Sequence, residues 1–363
     1  MTRQDIALWR LFSQQIAGDG FTDPAALVKW MGCIRAEDLS AAKWAIGQRV
    51  QGSTDSSIER AFNEGHILRT YILQPVKHFV SPDDIHWMLA LSAPRLKAIN
   101  KGLYRSLGIG EEMLKKSRRI MARALEGRQM TRRQLLAALK KEEIDVDEIR
   151  LGLLLMDAEL DALICNGGMH GREFTYTLLK APVSRYYDKR EAIGELARRY
   201  FLSRGPATEY DFSVWSGLGA AEVRLGMEMN KRWLEREVVD GQLYWFAPAG
   251  WNDAGGWSDR RGENDPGGKR FSRVPSLFLL PAFDELTTAY FNKGIFKPAV
   301  IIDGQVSGSW TYVSGKETVR MKVVTPVKWS GSLHAAIQKE AERYSAFLGK
   351  RLIFRDISSD ISP

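Results

Sequence analysis

Apolar residues in residues 1–95 recur every three to four positions, which is the spacing of a buried helix face. Four segments show this spacing, each bounded by a capping or breaking residue. The bounding residues are Gly18 and Gly20, Asp23-Pro24, Asp38, Thr54 and Gly65. The next segment, ILRTYILQPVKHFV (67–80), is rich in β-branched and aromatic residues, which predicts a short hairpin around Pro75. Ser81-Pro82 precedes a further predicted helix, DDIHWMLALSA.

The same order, helices followed by a β pair, recurs twice along the chain. The predicted helices are 111–126, 131–141 and 147–161 in one copy and 190–203, 208–216 and 219–233 in the other. The β pairs are ALICN and FTYTLL around GGMHGRE, and EREVVDGQLYWFAP with the two-residue turn Asp240-Gly241. Three helices followed by a hairpin are typical of a winged helix, a helix-turn-helix core with a β wing that reaches DNA.

The pattern therefore predicts a mainly helical α+β fold with three tandem winged-helix units and a C-terminal β-rich module. Two β-rich runs, a helix and a last strand make up this module. A glycine-rich stretch at 249–269 predicts a long exposed loop in the third unit. The predicted boundaries are 1–95, 96–185, 186–270 and 271–363.

Positive charge is concentrated in one part of the chain. The net charge is +8 and the isoelectric point is about 9.3, which favours an anionic partner. Residues 95–141 hold fourteen Lys and Arg against three Glu, a local surplus of eleven that exceeds the surplus of the whole chain. The distribution therefore indicates a local site for a polyanion such as double-stranded DNA.

Several other classes of protein do not fit the composition. No apolar run approaches the roughly 20 residues that span a bilayer, and the start of the chain lacks the apolar core of a signal peptide. We therefore expect a cytoplasmic protein with no membrane contact. Two cysteines far apart and five histidines without metal-ligand spacing predict neither a disulfide framework nor a metal site. No phosphate-loop or dinucleotide motif is present, so we expect no cofactor.

Two groups of basic residues are candidates for DNA contact. Lys115, Arg119 and Arg123 lie four residues apart and share one face of a predicted helix, where they can neutralise several phosphates. The alternative is a solvated helix face. In the turn GGMHGRE, His170 and Arg172 lie at the tip of a predicted wing, where basic side chains enter a minor groove. The alternative there is a turn with only a structural role.

Five dispersed segments carry a resemblance to a known family. They are IRAEDLSAAKWAIGQR (34–49), LRTYILQPVKHFVSPDDIHWMLALSAPR (68–95), AELDALICNGG, RYFLSRGPATEYDFSVWSGL and LLPAFDE. In this order, from about residue 5 to about residue 325, the chain resembles the bacterial tandem winged-helix DNA glycosylases of the AlkZ-like family. The resemblance implies a DNA repair enzyme that hydrolyses the N-glycosidic bond of alkylated purines and unhooks interstrand crosslinks. It also implies duplex DNA as the partner, and we expect a monomer.

The family's catalytic motif has two polar residues around one apolar residue, usually Gln first and Gln or Asp second. The matching positions are Arg35 and Glu37 around Ala36. A carboxylate can hold water below the anomeric carbon and stabilise an oxocarbenium-like transition state, so Glu37 can do the work of the second residue. The guanidinium of Arg35 cannot accept a hydrogen bond from water and opposes positive charge on the sugar.

Arg35 leaves two hypotheses open. In the first, Arg35 supports Glu37, and the protein is a glycosylase with altered selectivity. In the second, Arg35 ties up Glu37, and the protein is a non-catalytic winged-helix DNA binder that recognises damage or acts in regulation.

Two further pairs have open roles. In QPVKH (74–78) the resemblance places His78 near the motif, and Lys77 and His78 are candidates for DNA contact. The alternative is a histidine packed at a hairpin edge. In LLPAFDE (279–285), Asp284 and Glu285 have the types of an acid/base pair, but we expect them to cap and orient the β-rich module.

Overall fold

The computed structural model describes residues 1–18, 20–248, 277–291, 295–326 and 329–355. The predicted glycine-rich loop at 249–269 lies outside these residues. No helix in the described ranges is long and apolar enough to span a membrane.

The fold is α+β. The helices are α1 (Arg3–Ser13), α2 (Pro24–Met31), α3 (Leu39–Gly47), α4 (Asp55–Asn63), α5 (Ile85–Ser106), α6 (Glu111–Ala124), α7 (Arg132–Lys141), α8 (Glu148–Leu160), α9 (Lys189–Arg204), α10 (Glu209–Ser216), α11 (Ala220–Asn230), α12 (Glu285–Thr288) and α13 (Gly331–Phe347). The strands are β1 (Cys33–Arg35), β2 (Leu68–Tyr71), β3 (Lys77–Val80), β4 (Met130–Thr131), β5 (Ile164–His170), β6 (Glu173–Leu178), β7 (Glu235–Val239), β8 (Gln242–Phe246), β9 (Leu277–Leu280), β10 (Ala299–Ile302), β11 (Gln305–Ser314), β12 (Thr318–Val324) and β13 (Arg351–Arg355).

The capping residues read from the sequence begin the helices where expected. Asp23 accepts hydrogen bonds from the amides of Ala25 and Ala26 at the start of α2. Asp38 Oδ1 accepts from the amide of Ala41 at 2.8 Å and begins α3. A carboxylate at this position satisfies one of the amides that have no partner inside the helix.

The chain forms two compact units. The first contains Met1–Met31, Glu37–Glu59 and Gly194–Pro363. The second contains Gly32–Ala36 and Arg60–Ile193. The four modules expected from the sequence, with their boundaries, remain a prediction.

The first unit contains a five-stranded sheet in the order β13-β12-β11-β10-β9, with β12 and β13 parallel and the other neighbours antiparallel. Helix α13 packs against β9 and β13. Trp44 of α3 and Trp310 of β11 both contact Tyr344 of α13, with ring centroids 5.0 Å apart in each pair. A separate hairpin, β7–β8, turns at Asp240-Gly241 as predicted.

Asp284 and Glu285 are structural residues of the first unit. Asp284 caps α12, and its two oxygens accept from the Arg49 guanidinium at 2.8 Å. Glu285 accepts from Arg204 at 2.7 and 2.9 Å. All four side chains are buried, so each carboxylate is neutralised by a guanidinium inside the fold. Asp284 thus has the expected capping role, whereas Glu285 bonds to Arg204 of α9.

The second unit is built on a six-stranded sheet in the order β1-β3-β2-β5-β6-β4. Helix α8 packs against β2 and β5, and α5 and α6 pack against α8. The three-residue strand β1 is absent from the sequence prediction. It pairs antiparallel with β3 at the edge of the sheet.

Helix α5 is longer than predicted. The predicted helix ends before Pro94, whereas α5 continues through Pro94 to Ser106. Proline cannot donate to the carbonyl of the residue four positions earlier, here Ala90. Both residues lie on the exposed side of α5, where water can replace the missing donor.

The hairpin β5–β6 also extends further than predicted. The strands pair as far as His170 and Glu173, so the turn consists of Gly171 and Arg172. The ladder shifts between Asn166 and Met169. A Cβ atom on Gly167 would lie 2.7 Å from both Gln129 Oε1 and Thr175 Oγ1, so a larger residue here would displace these side chains.

Candidate active site and nucleic-acid interface

The predicted catalytic segment begins at the end of β1. Cys33, Ile34 and Arg35 pair with Val80, Phe79 and His78 of β3. Arg35 is half-buried and lies directly opposite His78. The structure thus places these two predicted site residues side by side, although they are 43 positions apart.

The backbone of Ala36 is held on both sides. Its amide donates to the carbonyl oxygen of Lys77 at 2.8 Å. Its carbonyl oxygen accepts from Arg69 Nε at 2.8 Å. Ala36 has no exposed surface, so the segment is anchored at its middle residue.

Glu37 follows this anchored residue and is exposed. The next residue, Asp38, caps α3 and fixes the chain on the other side of Glu37. An exposed carboxylate between two fixed backbone positions can hold a water molecule in a defined place. This is the chemistry that the sequence assigned to Glu37.

His78 is buried, with 4% of its surface exposed. Its Nδ1 atom lies 3.0 Å from the carbonyl oxygen of Val76. A carbonyl oxygen only accepts, so Nδ1 carries the proton in this hydrogen bond. The ring lies in the sheet beside Arg35, close to the motif as the resemblance implies.

Lys77 is also buried, with 8% of its surface exposed. Its ammonium bonds to both carboxylate oxygens of Glu159 from α8, and Thr70 Oγ1 donates to the same carboxylate at 3.0 Å. Burial lowers the pKa of Lys77 to about 8, while the negative charge of Glu159 acts in the opposite direction. The ammonium is therefore engaged by Glu159 inside the second unit.

Sequence reasoning did not single out Arg69 or Asn166, which complete this buried polar group. Arg69 Nη1 donates to Asn166 Oδ1 at 2.7 Å, and its guanidinium lies 4.1 Å from the ring centre of Phe174. Both could have been noticed in the sequence, because they are polar residues inside the apolar strand segments LRTYI and LICN. Such residues require buried partners.

The predicted basic face of α6 is exposed. Lys115, Arg119 and Arg123 all reach the surface, and Lys115 and Arg123 lie within 4 Å of Glu112 and Glu142. A groove of about 570 Å³ follows this helix. It is lined by Lys116, Arg119, Ile120, Ala122, Arg123 and Glu142. The opposite side of α6 packs inward through Ile120 and Met121. The helix therefore presents cations to solvent in the way that phosphate contact requires.

The tip of the β5–β6 hairpin presents His170 and Arg172 to solvent on either side of Gly171. Gly171 has a φ of 64°, a conformation that glycine adopts without strain. The hairpin is held near its base by Asn63, whose Oδ1 accepts from the amide of Met169 at 2.9 Å. The tip is thus an exposed basic element on a fixed support.

The C-terminal half of helix α8 is buried. All seven residues from Leu154 to Leu160 are buried, and α8 packs against α5, α6, β2 and β5. The start of the helix is different, because Glu148 and Ile149 are exposed. The described part of the second unit thus presents α6, the hairpin tip and the start of α8 to solvent.

The described residues contain no group of three or more His, Cys, Asp or Glu side chains that could hold a metal ion.

A family model named DNA glycosylase AlkZ-like matches residues 28–347, which is most of the chain. The chain belongs to the AlkZ-like DNA glycosylase family. Among solved structures, the Streptomyces sahachiroi DNA glycosylase AlkZ matches with a TM-score of 0.77 and 18% sequence identity. The match covers 98% of this chain and 100% of that chain, and it shows a common fold. A comparison with curated protein sequences found no match.

Family membership makes this a DNA glycosylase fold with DNA as the partner of the family. Within this AlkZ-like chain, Arg35 and Glu37 lie in the matched region. Lys77, His78, Lys115, Arg119, Arg123, His170 and Arg172 lie there as well. Their individual roles are predictions, developed below from the geometry.

Proposed function

We propose that this AlkZ-like protein excises N-alkylated purines from double-stranded DNA as a monomer, with Glu37 as the carboxylate that holds the attacking water. The observation that carries the proposal is the setting of Glu37. It is an exposed carboxylate that follows Ala36, whose amide and carbonyl are both hydrogen-bonded. A fixed backbone aims this exposed side chain.

The reaction needs little beyond this carboxylate. Alkylation puts positive charge on the purine, so the base leaves as a neutral molecule when its bond to C1′ of the sugar breaks. The water oxygen bonds to C1′, and its proton passes to Glu37 or to solvent. The negative charge of Glu37 also stabilises positive charge that develops on the sugar. We therefore assign no metal or cofactor to the step.

Tandem winged helices are our reading of how the protein holds DNA. Residues 111–178 have the order helix, strand, helix, helix, strand, strand, and residues 189–246 have three helices followed by a hairpin. Both orders are those of winged helices. In the second copy we assign DNA contact to the exposed cations Lys115, Arg119 and Arg123 and to the hairpin tip with His170 and Arg172. We assign Lys77 an internal role, because its ammonium bonds to Glu159.

A duplex carrying one N7-methylguanine tests this function. Incubation with the protein, followed by cleavage of abasic sites, is expected to cut the strand at the lesion. Glu37→Ala is expected to abolish the cut, and Glu64→Ala, which removes another exposed carboxylate, is expected to keep it. Strand cutting that survives Glu37→Ala would refute the assignment of Glu37.

Arg35 favours a second candidate, a DNA binder without catalysis. Its guanidinium cannot accept a hydrogen bond from water and adds positive charge beside the motif. The same assay separates the two functions. Tight binding of the duplex with no abasic sites from the wild-type protein would establish the binder.

A further inference from the structure

A buried arginine touches the backbone of the proposed catalytic segment. Arg69 lies in β2, with 6% of its surface exposed. A guanidinium in such a place needs partners on all sides, because removing it from water is costly. Three of its partners are the carbonyl oxygen of Ala36, Oδ1 of Asn166 and the ring of Phe174.

The bond to Ala36 bears directly on Glu37. The carbonyl of Ala36 and the amide of Glu37 belong to one planar peptide group. Arg69 Nε donates to this group at 2.8 Å, and the amide of Ala36 fixes the preceding peptide group through Lys77. Rotation of the peptide held by Arg69 would change the direction in which Glu37 leaves the backbone.

We propose that Arg69 is a positioning residue for Glu37, acting through the carbonyl of Ala36. The proposal rests on the function proposed above, in which Glu37 holds the attacking water. Arg69 does not touch the reacting atoms in this scheme. It sets the orientation of the carboxylate that does.

Asn166 holds Arg69 in turn. Its Oδ1 accepts from Arg69 at 2.7 Å, and its Nδ2 donates to the carbonyl of Thr175 at 3.3 Å. Arg69 and Asn166 also face each other where β2 pairs with β5. A side chain 97 positions away thus supports the orientation of Arg69, so the catalytic segment depends on the strand that leads to the hairpin tip.

A purely structural role for Arg69 makes different predictions, and Thr70 supplies the control. Thr70 is the next residue of β2, is fully buried and bonds to Glu159 instead of to Ala36. Thr70→Val keeps the shape of the side chain and removes that hydrogen bond. Both Arg69→Met and Thr70→Val weaken the same sheet, but Arg69→Met alone releases the carbonyl of Ala36.

The experiment measures the single-turnover rate of base excision with protein in excess over a duplex carrying N7-methylguanine, below the melting temperature of each variant. Arg69→Met is expected to slow excision by about 10²-fold, the loss typical of a misplaced catalytic group, with unchanged duplex affinity. Arg69→Lys is expected to recover part of the rate, because its ammonium can still donate to Ala36. Thr70→Val is expected to excise at close to the wild-type rate.

A double variant shows whether Arg69 acts through Glu37. In the Glu37→Ala background, Arg69→Met is expected to cause no further loss of rate, because the group that it positions is already gone. A full additional loss in that background, or Arg69→Met as fast as Thr70→Val, would overturn the proposal.

A spectroscopic readout separates failure of this proposal from failure of the proposed function. The amide resonance of Glu37, recorded by NMR on the full chain, reports the hydrogen bond to the carbonyl of the same peptide group. It is expected to shift in Arg69→Met and to stay in place in Thr70→Val. An unmoved resonance overturns the positioning role. If the wild-type protein does not excise the base, the proposed function is refuted instead. A shift of the Glu37 amide resonance in Arg69→Met would then still support the hydrogen bond from Arg69 to the segment.

Discussion

Arg35 and His78 lie directly opposite each other on the antiparallel strands β1 and β3. Directly opposed residues of an antiparallel pair project from the same face of the sheet. The half-buried guanidinium therefore emerges next to a buried imidazole whose Nδ1 is bound to Val76. This arrangement places the most unusual residue of the motif against the buried strand β3.

Arg35 is expected to slow the reaction that Glu37 promotes. Its positive charge opposes the charge that develops on the sugar, and it cannot accept a hydrogen bond from water. We predict that Arg35→Gln raises the single-turnover excision rate by about tenfold, which corresponds to roughly 1.4 kcal/mol in the barrier. Single-turnover kinetics on an N7-methylguanine duplex measure this.

The control for this substitution is Arg60→Gln, which removes an exposed arginine of α4 and is expected to leave the rate unchanged. A lower rate together with weaker duplex binding in Arg35→Gln would contradict the prediction. That result would make Arg35 a phosphate contact of the bound DNA.

The buried pair of Lys77 and Glu159 is expected to be sensitive to loss of one member. Lys77→Met leaves a carboxylate buried without its cation, which costs about 3–5 kcal/mol of unfolding free energy. Lys77→Met/Glu159→Leu removes both charges and is expected to recover most of this loss. Urea titrations measure both values, and Lys231→Met, at an exposed pair, is expected to cost at most about 1 kcal/mol. Equal losses in the single and double variants would contradict this account.

The same pair predicts a pH dependence. The folded pKa of Lys77 is about 8 and its ordinary value is 10.5, so between these pH values the unfolded chain binds a proton that the folded chain lacks. The contribution of Lys77 to the unfolding free energy therefore rises with pH across this window. We predict that wild type gains stability relative to Lys77→Met/Glu159→Leu from pH 8 to pH 10.5. A constant difference in urea titrations across that range would rule out the lowered pKa.

The exposed cations of α6 are expected to carry part of the affinity for DNA. Replacing Lys115, Arg119 and Arg123 by Ala is predicted to weaken duplex binding and to reduce the slope of log affinity against log salt by about 3, near one unit for each phosphate contact. Titrations at several salt concentrations measure the slope. The matched control replaces three exposed cations of the first unit together by Ala, namely Lys231, Arg232 and Lys339. An equal change of slope in both triple variants would show that only net charge matters.

Most helices and hairpins could be predicted because their signals are local. Asp38 marks the start of α3, and Asp240-Gly241 marks a hairpin turn, through chemistry within a few residues. Strand β1 could not be predicted, because three residues are too few to show an alternation of apolar and polar positions. Their pairing with β3 depends on the tertiary fold. The continuation of α5 through Pro94 could not be predicted either, because proline normally ends a helix. Here Pro94 lies on the exposed side of the helix, where water can replace the missing hydrogen-bond donor.

The candidate site could be predicted only in part. The segment with Arg35 and Glu37 came from the family resemblance, and the bond from Arg69 to Ala36 joins residues 33 positions apart that no local pattern connects. Lys77 is a candidate for DNA contact from the segment QPVKH. Its ammonium bonds to Glu159, 82 positions further along, and a strand pattern contains no information about that partner.

Excision by the wild-type protein and by Glu37→Ala is the most direct measurement of the central claim, that Glu37 holds and activates water at an alkylated purine. Alanine removes the carboxylate and leaves no group at this position that can hold water. The expected result is an abasic site from the wild-type protein on an N7-methylguanine duplex and a single-turnover rate at least about 10²-fold lower for Glu37→Ala, with unchanged duplex affinity. Equal rates for the two proteins would contradict the claim.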